Sequence, residues 1–239
     1  FMGPDLSFDG RKVLFAYARF HPELSREKNK ADKTNVPADA FYHVFEMSVD
    51  GSGRRQLTHG KYDDFDPRYL PGGNVAFLST RKGIALQSTA AFSESTRFAD
   101  LSDSYVRCGG DNWRPVPVFT LHATDADGKN LRPLSAFENF EWAPSVANDG
   151  RLLYTRWDYI DRFNGHFFSL WSANQDGTNP QFVYGNYTVK PQVVFEARSI
   201  PGSSKLGFTA AAHHSSTGGS LCLLDRDRGM EEEAPLTRL

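Results

Sequence analysis

The side chains able to do chemistry gather in a few short stretches. Cys108-Gly109-Gly110-Asp111-Asn112-Trp113-Arg114-Pro115 sets a thiol, a carboxylate and an indole side by side. Arg156-Trp157-Asp158-Tyr159-Ile160-Asp161-Arg162-Phe163-Asn164-Gly165-His166 mixes cations, carboxylates and rings, and Ala212-His213-His214-Ser215-Ser216 carries adjacent imidazoles. Thiolate and imidazole suit a transition metal such as zinc, which makes Cys108 a candidate metal ligand. Adjacent His213 and His214 cannot easily both face one ion, and no paired-cysteine spacing supports them. Arg156, Asp158, Asp161 and Arg162 read most simply as an ion-pair network that ties their loop down, with contact to a substrate or another domain as the alternative. The binding candidates are Asp111, Trp113, Arg156, Asp158, Asp161, Arg162, His166, His213 and His214. No catalytic set is complete: the sequence contains no Gly-x-Ser-x-Gly, no Gly-Lys-Ser/Thr phosphate loop, no His-Glu-x-x-His and no Cys-x-x-Cys-His.

Two weaker matches carry less. Asp125-Ala126-Asp127-Gly128-Lys129-Asn130 has the start of a calcium loop, but a helix-flanked loop needs ligands through to a distant Glu. The same Asp-Gly recurs at Asp50-Gly51 and Asp176-Gly177 between strand-like runs, so it reads as turn chemistry. Asn186-Tyr187-Thr188 fits a glycosylation acceptor on three residues only.

What must position these groups is legible as a repeat. Leu6-Ser7-Phe8-Asp9-Gly10-Arg11-Lys12-Val13-Leu14-Phe15 returns as Asp66-Pro67-Arg68-Tyr69-Leu70-Pro71-Gly72-Gly73-Asn74-Val75-Ala76-Phe77 and as Ala143-Pro144-Ser145-Val146-Ala147-Asn148-Asp149-Gly150-Arg151-Leu152-Leu153-Tyr154. A looser copy is Ile200-Pro201-Gly202-Ser203-Ser204-Lys205-Leu206-Gly207-Phe208. A second hairpin interleaves with it, around Asp50-Gly51, Asp127-Gly128, Asp176-Gly177 and Asp225. The interval from each second-hairpin glycine to the next first-hairpin glycine is nearly constant (Gly51 to Gly73, Gly128 to Gly150, Gly177 to Gly202). The interval inside a unit swells and shrinks (Gly10 to Gly51, Gly73 to Gly128, Gly150 to Gly177). A compact repeat of about 45–50 residues with two hairpins is the size of a four-stranded propeller blade. The expectation is an all-β propeller portion of about four blades, near 1–60, 61–136, 137–185 and 186–239, belonging to a ring of six to eight. The repeated Phe15, Phe77, Tyr154 and Phe208 read as blade core.

Antiparallel strands alternate in direction, so both hairpin turns of a blade share one end and the connection between the hairpins lies at the other. The insertions, at about 20–40, 81–116, 157–166 and 211–218, all fall in that connection, and the spacing predicts that they crowd one face. Pro22 to Asp39, rich in Lys, Glu and Asn, reads as a mobile, solvated loop.

Composition narrows the partners. Across 239 residues, 27 Lys+Arg against 29 Asp+Glu give a net charge of −2, which offers no electrostatic case for nucleic acid. No apolar run approaches the roughly 18–20 residues of a membrane-spanning helix. Two cysteines, Cys108 and Cys222, make no disulfide framework, though they could pair. Phe1 ahead of Met2 suggests a sequence cut from a longer chain, without a visible signal peptide.

The hairpin repeat resembles the TolB-type β-propeller repeat, on Asp66-Pro67 through Pro71-Gly72-Gly73 to Val75-Ala76-Phe77 and on Asp127-Gly128 with Leu131-Arg132-Pro133-Leu134. A narrower resemblance, to the propeller middle domain of hydrazine synthase alpha subunits and related proteins, rests on four stretches. They are Tyr42-His43-Val44-Phe45-Glu46-Met47, Cys108-Gly109-Gly110-Asp111-Asn112-Trp113, Phe140-Glu141-Trp142-Ala143-Pro144-Ser145 and Tyr154-Thr155-Arg156-Trp157-Asp158-Tyr159. That resemblance implies a large exported bacterial protein, periplasmic or secreted, whose other domains or subunits contact the propeller and in which haem-bearing segments do redox chemistry. This chain lacks a haem-attachment motif, so haem would come only from other parts of the protein, with Cys108 as the one contact. Three readings stay open: a binding and scaffolding module, one wall of a haem enzyme site, or the gating propeller of a serine peptidase.

Overall fold

The structure is a computed structural model that describes residues 1–28, 33–85, 116–137, 139–158, 168–212 and 218–239. Of the site candidates only Arg156 and Asp158 fall inside these ranges; Cys108, Asp111, Trp113, Asp161, Arg162, His166, His213 and His214 lie outside the described residues. Among the described residues the regular elements are strands and three short 3-10 turns, with no α-helix. The chain divides into two compact units, Phe1–Asn139 and Phe140–Leu239.

The first unit holds two four-stranded antiparallel sheets. One runs β1 (Met2–Leu6), β2 (Lys12–Tyr17), β3 (His43–Ser48), β4 (Arg55–Gln56). The other runs β5 (Asp64–Tyr69), β6 (Val75–Ala85), β7 (Val116–Thr124), β8 (Arg132–Pro133). Alternation sorts the side chains. Leu14 and Val44 from one face of the first sheet, with Leu57, bury against Tyr69, Val75 and Phe77 of the second. All six are at most 9% exposed. Burial of this kind contributes roughly 1.5–3 kcal/mol per large apolar side chain.

The second unit repeats the plan: β9 (Glu141–Val146), β10 (Leu152–Trp157), β11 (Phe168–Ala173) and β12 (Gln181–Tyr184), then β13 (Val193–Ser199), β14 (Leu206–Ala211), β15 (Ser220–Leu224) and β16 (Leu236–Arg238). A single parallel pairing, Phe168 with Val193, joins the two sets into one eight-stranded sheet. Leu153, Leu170 and Val183 pack against Val194, Leu206, Phe208, Cys222 and Leu224. The four equivalent aromatics, Phe15, Phe77, Tyr154 and Phe208, are all 6% exposed or less, as expected of core.

The Asp-Gly turns fold by side-chain capping. Asp50 Oδ1 accepts from the Ser52 N–H at 2.9 Å and Asp176 Oδ1 from the Thr178 N–H at 3.0 Å. Asp127 Oδ1 accepts from the Lys129 N–H at 3.1 Å while its other oxygen meets Lys129 Nζ at 2.9 Å. These carboxylates serve the turn, with Gly51, Gly128 and Gly177 at φ of 88°, 85° and 84°.

The repeat has one feature that the sequence reading missed. The first strand of every set carries a left-handed residue, namely Gly3, Asp66, Ala143 and Glu196, at φ between 48° and 60°. Beside each the ladder register slips, between Met2 and Asp5, Phe65 and Arg68, Leu153 and Thr155, and Phe195 and Arg198. These are β-bulges, which bend a strand and re-aim its side chains. Gly3 is required at its place, because a Cβ there would lie 2.8 Å from Asp66 Cα. The pairings β2–β3, β6–β7, β10–β11 and β14–β15 are antiparallel, and each insertion joins such a pair at the end of the sheet away from the Asp-Gly turns.

Candidate functional site

At the insertion end of the second unit, β10 finishes on Arg156-Trp157 and leads into Asp158. Arg156 Nε lies 3.0 Å from Asp158 Oδ1, with side chains 21% and 5% exposed. The Arg156 guanidinium also stacks over Trp171, its central carbon 4.2 Å from the ring centroid. Alternation causes this: Arg156 pairs with Ser169 across the ladder, which puts Trp171, two residues on, on the same side. A guanidinium set against a carboxylate and over an indole is held in one orientation.

Next to this pair is an aromatic cluster. Trp157 stacks on Phe168 at 5.1 Å between centroids, Trp142 lies 5.3 Å from Phe168, and Phe195 meets Trp142 edge-on at 5.9 Å. Phe140 stacks on Trp142 at 5.5 Å. Such pairs each contribute about 0.5–1.5 kcal/mol beyond the area they bury. Trp142 and Phe195 are the residues just before the left-handed Ala143 and Glu196, so the bulges aim them.

At the same repeat position the first unit holds a different constellation. Asp64, wholly buried, opens β5; its Oδ1 accepts from Ser79 Oγ at 2.6 Å and its Oδ2 from Arg81 at 2.8 Å. Arg81 also donates to the His59 carbonyl at 2.7 Å and covers the Tyr62 ring at 4.3 Å. Burial pushes the Asp64 carboxyl up, and Arg81 and Ser79 pull against it. The sequence reading missed Asp64 and Arg81. Asp64 and Glu141 occupy matching places, across from Ser79 and Arg156 respectively, and an aligned pair of buried acids was the available signal.

His122, 4% exposed, stacks on Phe77 and faces the Thr120 carbonyl at 3.0 Å. Burial drives its pKa down to about 4, so it is a neutral packing residue near pH 7. Among the described residues no cluster of three or more His, Cys, Asp or Glu is placed to hold a metal ion. Cys222, the described cysteine, is a buried free thiol.

Neither a protein-family model nor a curated protein matches the chain. Solved structures do. Hydrazine synthase from Kuenenia stuttgartiensis superposes with a TM-score of 0.69 at 16% identity, covering 99% of this chain and 32% of that one. The fold is a β-propeller. An oligogalacturonate lyase in complex with manganese has a TM-score of 0.57 at 12% identity, over 100% of this propeller chain and 52% of the lyase. A puromycin-hydrolyzing peptidase from Mycobacterium tuberculosis has a TM-score of 0.52 at 12% identity, over 99% and 28%. The propeller chain thus spans about a third of the hydrazine synthase chain and half of the lyase, and at these identities the likeness is one of fold. Both sequence resemblances implied a β-propeller, and that is what the chain forms. Among the described residues no helix is long and apolar enough to cross a membrane.

Proposed function

We propose that this chain is a binding and scaffolding portion of a larger, exported bacterial protein, with partner or ligand contacts on its insertion-bearing end. One observation carries this reading. In the first unit the face formed by Tyr69, Val75 and Phe77 is buried under the neighbouring sheet. The matching face of the first sheet carries Leu6, Val13, Phe15, Tyr17, Phe45 and Met47. Leu6 pairs with Val13 as Tyr69 pairs with Val75, yet Leu6 is 58% exposed and Tyr69 9%. Phe15 stacks on Phe45 at 5.7 Å, and Phe1, itself 84% exposed, lies over Tyr17 at 4.9 Å. A face of that composition is built for another blade, in line with a ring larger than four.

Contacts with ligand or partner then fall to Arg156 and Asp158, together with the inserted segments that carry Cys108, Asp111, Trp113, Asp161, Arg162, His166, His213 and His214. Leu6→Cys, made in the full-length protein without Cys108, tests the ring: a water-soluble thiol reagent should label it slowly, as it would a buried site. Labelling at the rate of an unstructured peptide thiol would overturn the reading. Haem absorbance of the purified full-length protein addresses chemistry supplied by other domains, and a colourless, metal-free product would remove the haem-enzyme alternative.

A further inference from the structure

The first insertion, read from its composition as a solvated loop, is fastened at its base. Its two limbs meet where the Arg19 N–H donates to the Asp39 carbonyl at 2.7 Å. One histidine bridges them. His21 Nδ1 lies 3.0 Å from Glu23 Oε1, and His21 Nε2 lies 2.9 Å from Asp39 Oδ1. The imidazole is largely covered, with 14% of its side chain exposed, whereas the two carboxylates are 65% and 51% exposed. Arg19 Nη1 stands 3.6 Å from the other Asp39 oxygen. The far limb is tethered to β3, since His43 Nε2 reaches the Ala38 carbonyl at 2.9 Å.

Both ring nitrogens of His21 face carboxylate oxygens, and an ionised carboxylate only accepts. A neutral imidazole has a single N–H, so one nitrogen would confront an acceptor with a lone pair; the imidazolium donates to both. We propose that His21 is a pH-dependent clasp, which as imidazolium donates to both Glu23 and Asp39 and tightens the two limbs of the first insertion against each other, and as neutral imidazole keeps only one of those two bonds and loosens them. The groups facing it are Glu23 on its own limb and Asp39 on the opposite limb, with Arg19 behind Asp39.

The electrostatics run the same way. Hydrogen bonding to Glu23 foremost holds the imidazole above its usual range, against some burial and with further help from Asp39. Glu23 is lowered by its own backbone N–H and then by His21. Burial pushes Asp39 up, but His21 and Arg19 outweigh it and leave that carboxyl low. A histidine whose pKa is raised in the closed form stabilises that form fully below the ordinary value of about 6.5. The contribution disappears as pH rises through the raised value. Closure is therefore favoured below the raised value and weakened above it.

The test uses the full chain. The His21 ring resonance, followed by NMR, should titrate above a free histidine, and Glu23→Gln and Asp39→Asn should each lower its midpoint. Trypsin cleavage after Arg26 and Lys28, normalised to a control peptide at each pH, should quicken several-fold as pH passes that midpoint. His21→Gln should be cleaved at the fast rate throughout. An unmoved midpoint in both carboxylate variants, or a wild-type pH profile in His21→Gln, would overturn the proposal.

Discussion

Two arginine–aspartate pairs sit at the insertion ends of the two units and are built differently. Asp64 and Arg81 lie on different strands, so their ion pair staples β5 to β6, with the Asp64 side chain wholly buried and that of Arg81 17% exposed. Arg156 and Asp158 lie two residues apart at the end of β10, with side chains 21% and 5% exposed, and their pair fixes the point at which the third insertion leaves the sheet. The first pair is a structural tie across the ladder. The second lies within one strand end and holds a guanidinium over Trp171 of β11. Sequence motifs alone rank them the other way, because only the second stands in a stretch dense with charges and rings.

The comparison breaks most readily at Arg81. Arg81→Ala leaves the Asp64 carboxyl in a dry site without its cation and should cost about 3–5 kcal/mol in denaturant unfolding. The Arg156→Ala variant also takes the cation from a buried carboxylate, Asp158, but Arg156 itself is 21% exposed, so it is expected to lose less stability, about 2–3 kcal/mol with the stacking on Trp171 included, and to lower partner or ligand affinity by more than it lowers Tm. His213→Ala should behave as Arg156→Ala does. Equal loss of affinity and Tm in these two variants would make the second pair as structural as the first.

A subtler handle is Asp63, beside Asp64. Burial raises its carboxyl pKa against one hydrogen bond from the Tyr42 N–H at 3.0 Å. A carboxyl whose folded pKa lies above its unfolded value penalises the fold once ionised. That penalty is absent below the ordinary aspartate pKa of about 3.9 and grows as pH rises through the folded value. Asp63→Asn keeps the acceptor, so it should be more stable than wild type at pH 7 and lose that advantage at pH 3. The smallest effect is expected at a turn: Asp176→Ala removes the cap on Thr178 and should cost about 0.5–1 kcal/mol by thermal unfolding.

Much of the fold was written in local chemistry. Asp-Gly and Pro-Gly-Gly mark turns because those residues supply the left-handed angles and side-chain acceptors that turns require. Alternation in Val13-Leu14-Phe15 or Leu152-Leu153-Tyr154 assigns faces because the strand period is two. The bulges were not legible. A left-handed Ala143 or Glu196 has no compositional mark, and it is tolerated because the surrounding packed structure overdetermines it. The clasp at His21 was hidden for a related reason: His21 and Asp39 are distant in sequence, within a segment whose composition signals solvation. Of the site, Arg156 and Asp158 were found because they lie two residues apart in one charged stretch, whereas Asp64 and Arg81 were missed because they meet only across a ladder.

By itself, then, the sequence determined the repeat, the strands and the sheet end from which the inserted segments leave, since turn chemistry and period-two alternation are properties of neighbouring residues. Only the tertiary structure decided which charged groups are buried and paired, where the strands bulge, and which of the matching residues Leu6 and Tyr69 is exposed. Those outcomes depend on desolvation and on cross-strand register, and both are set by residues far apart in the chain.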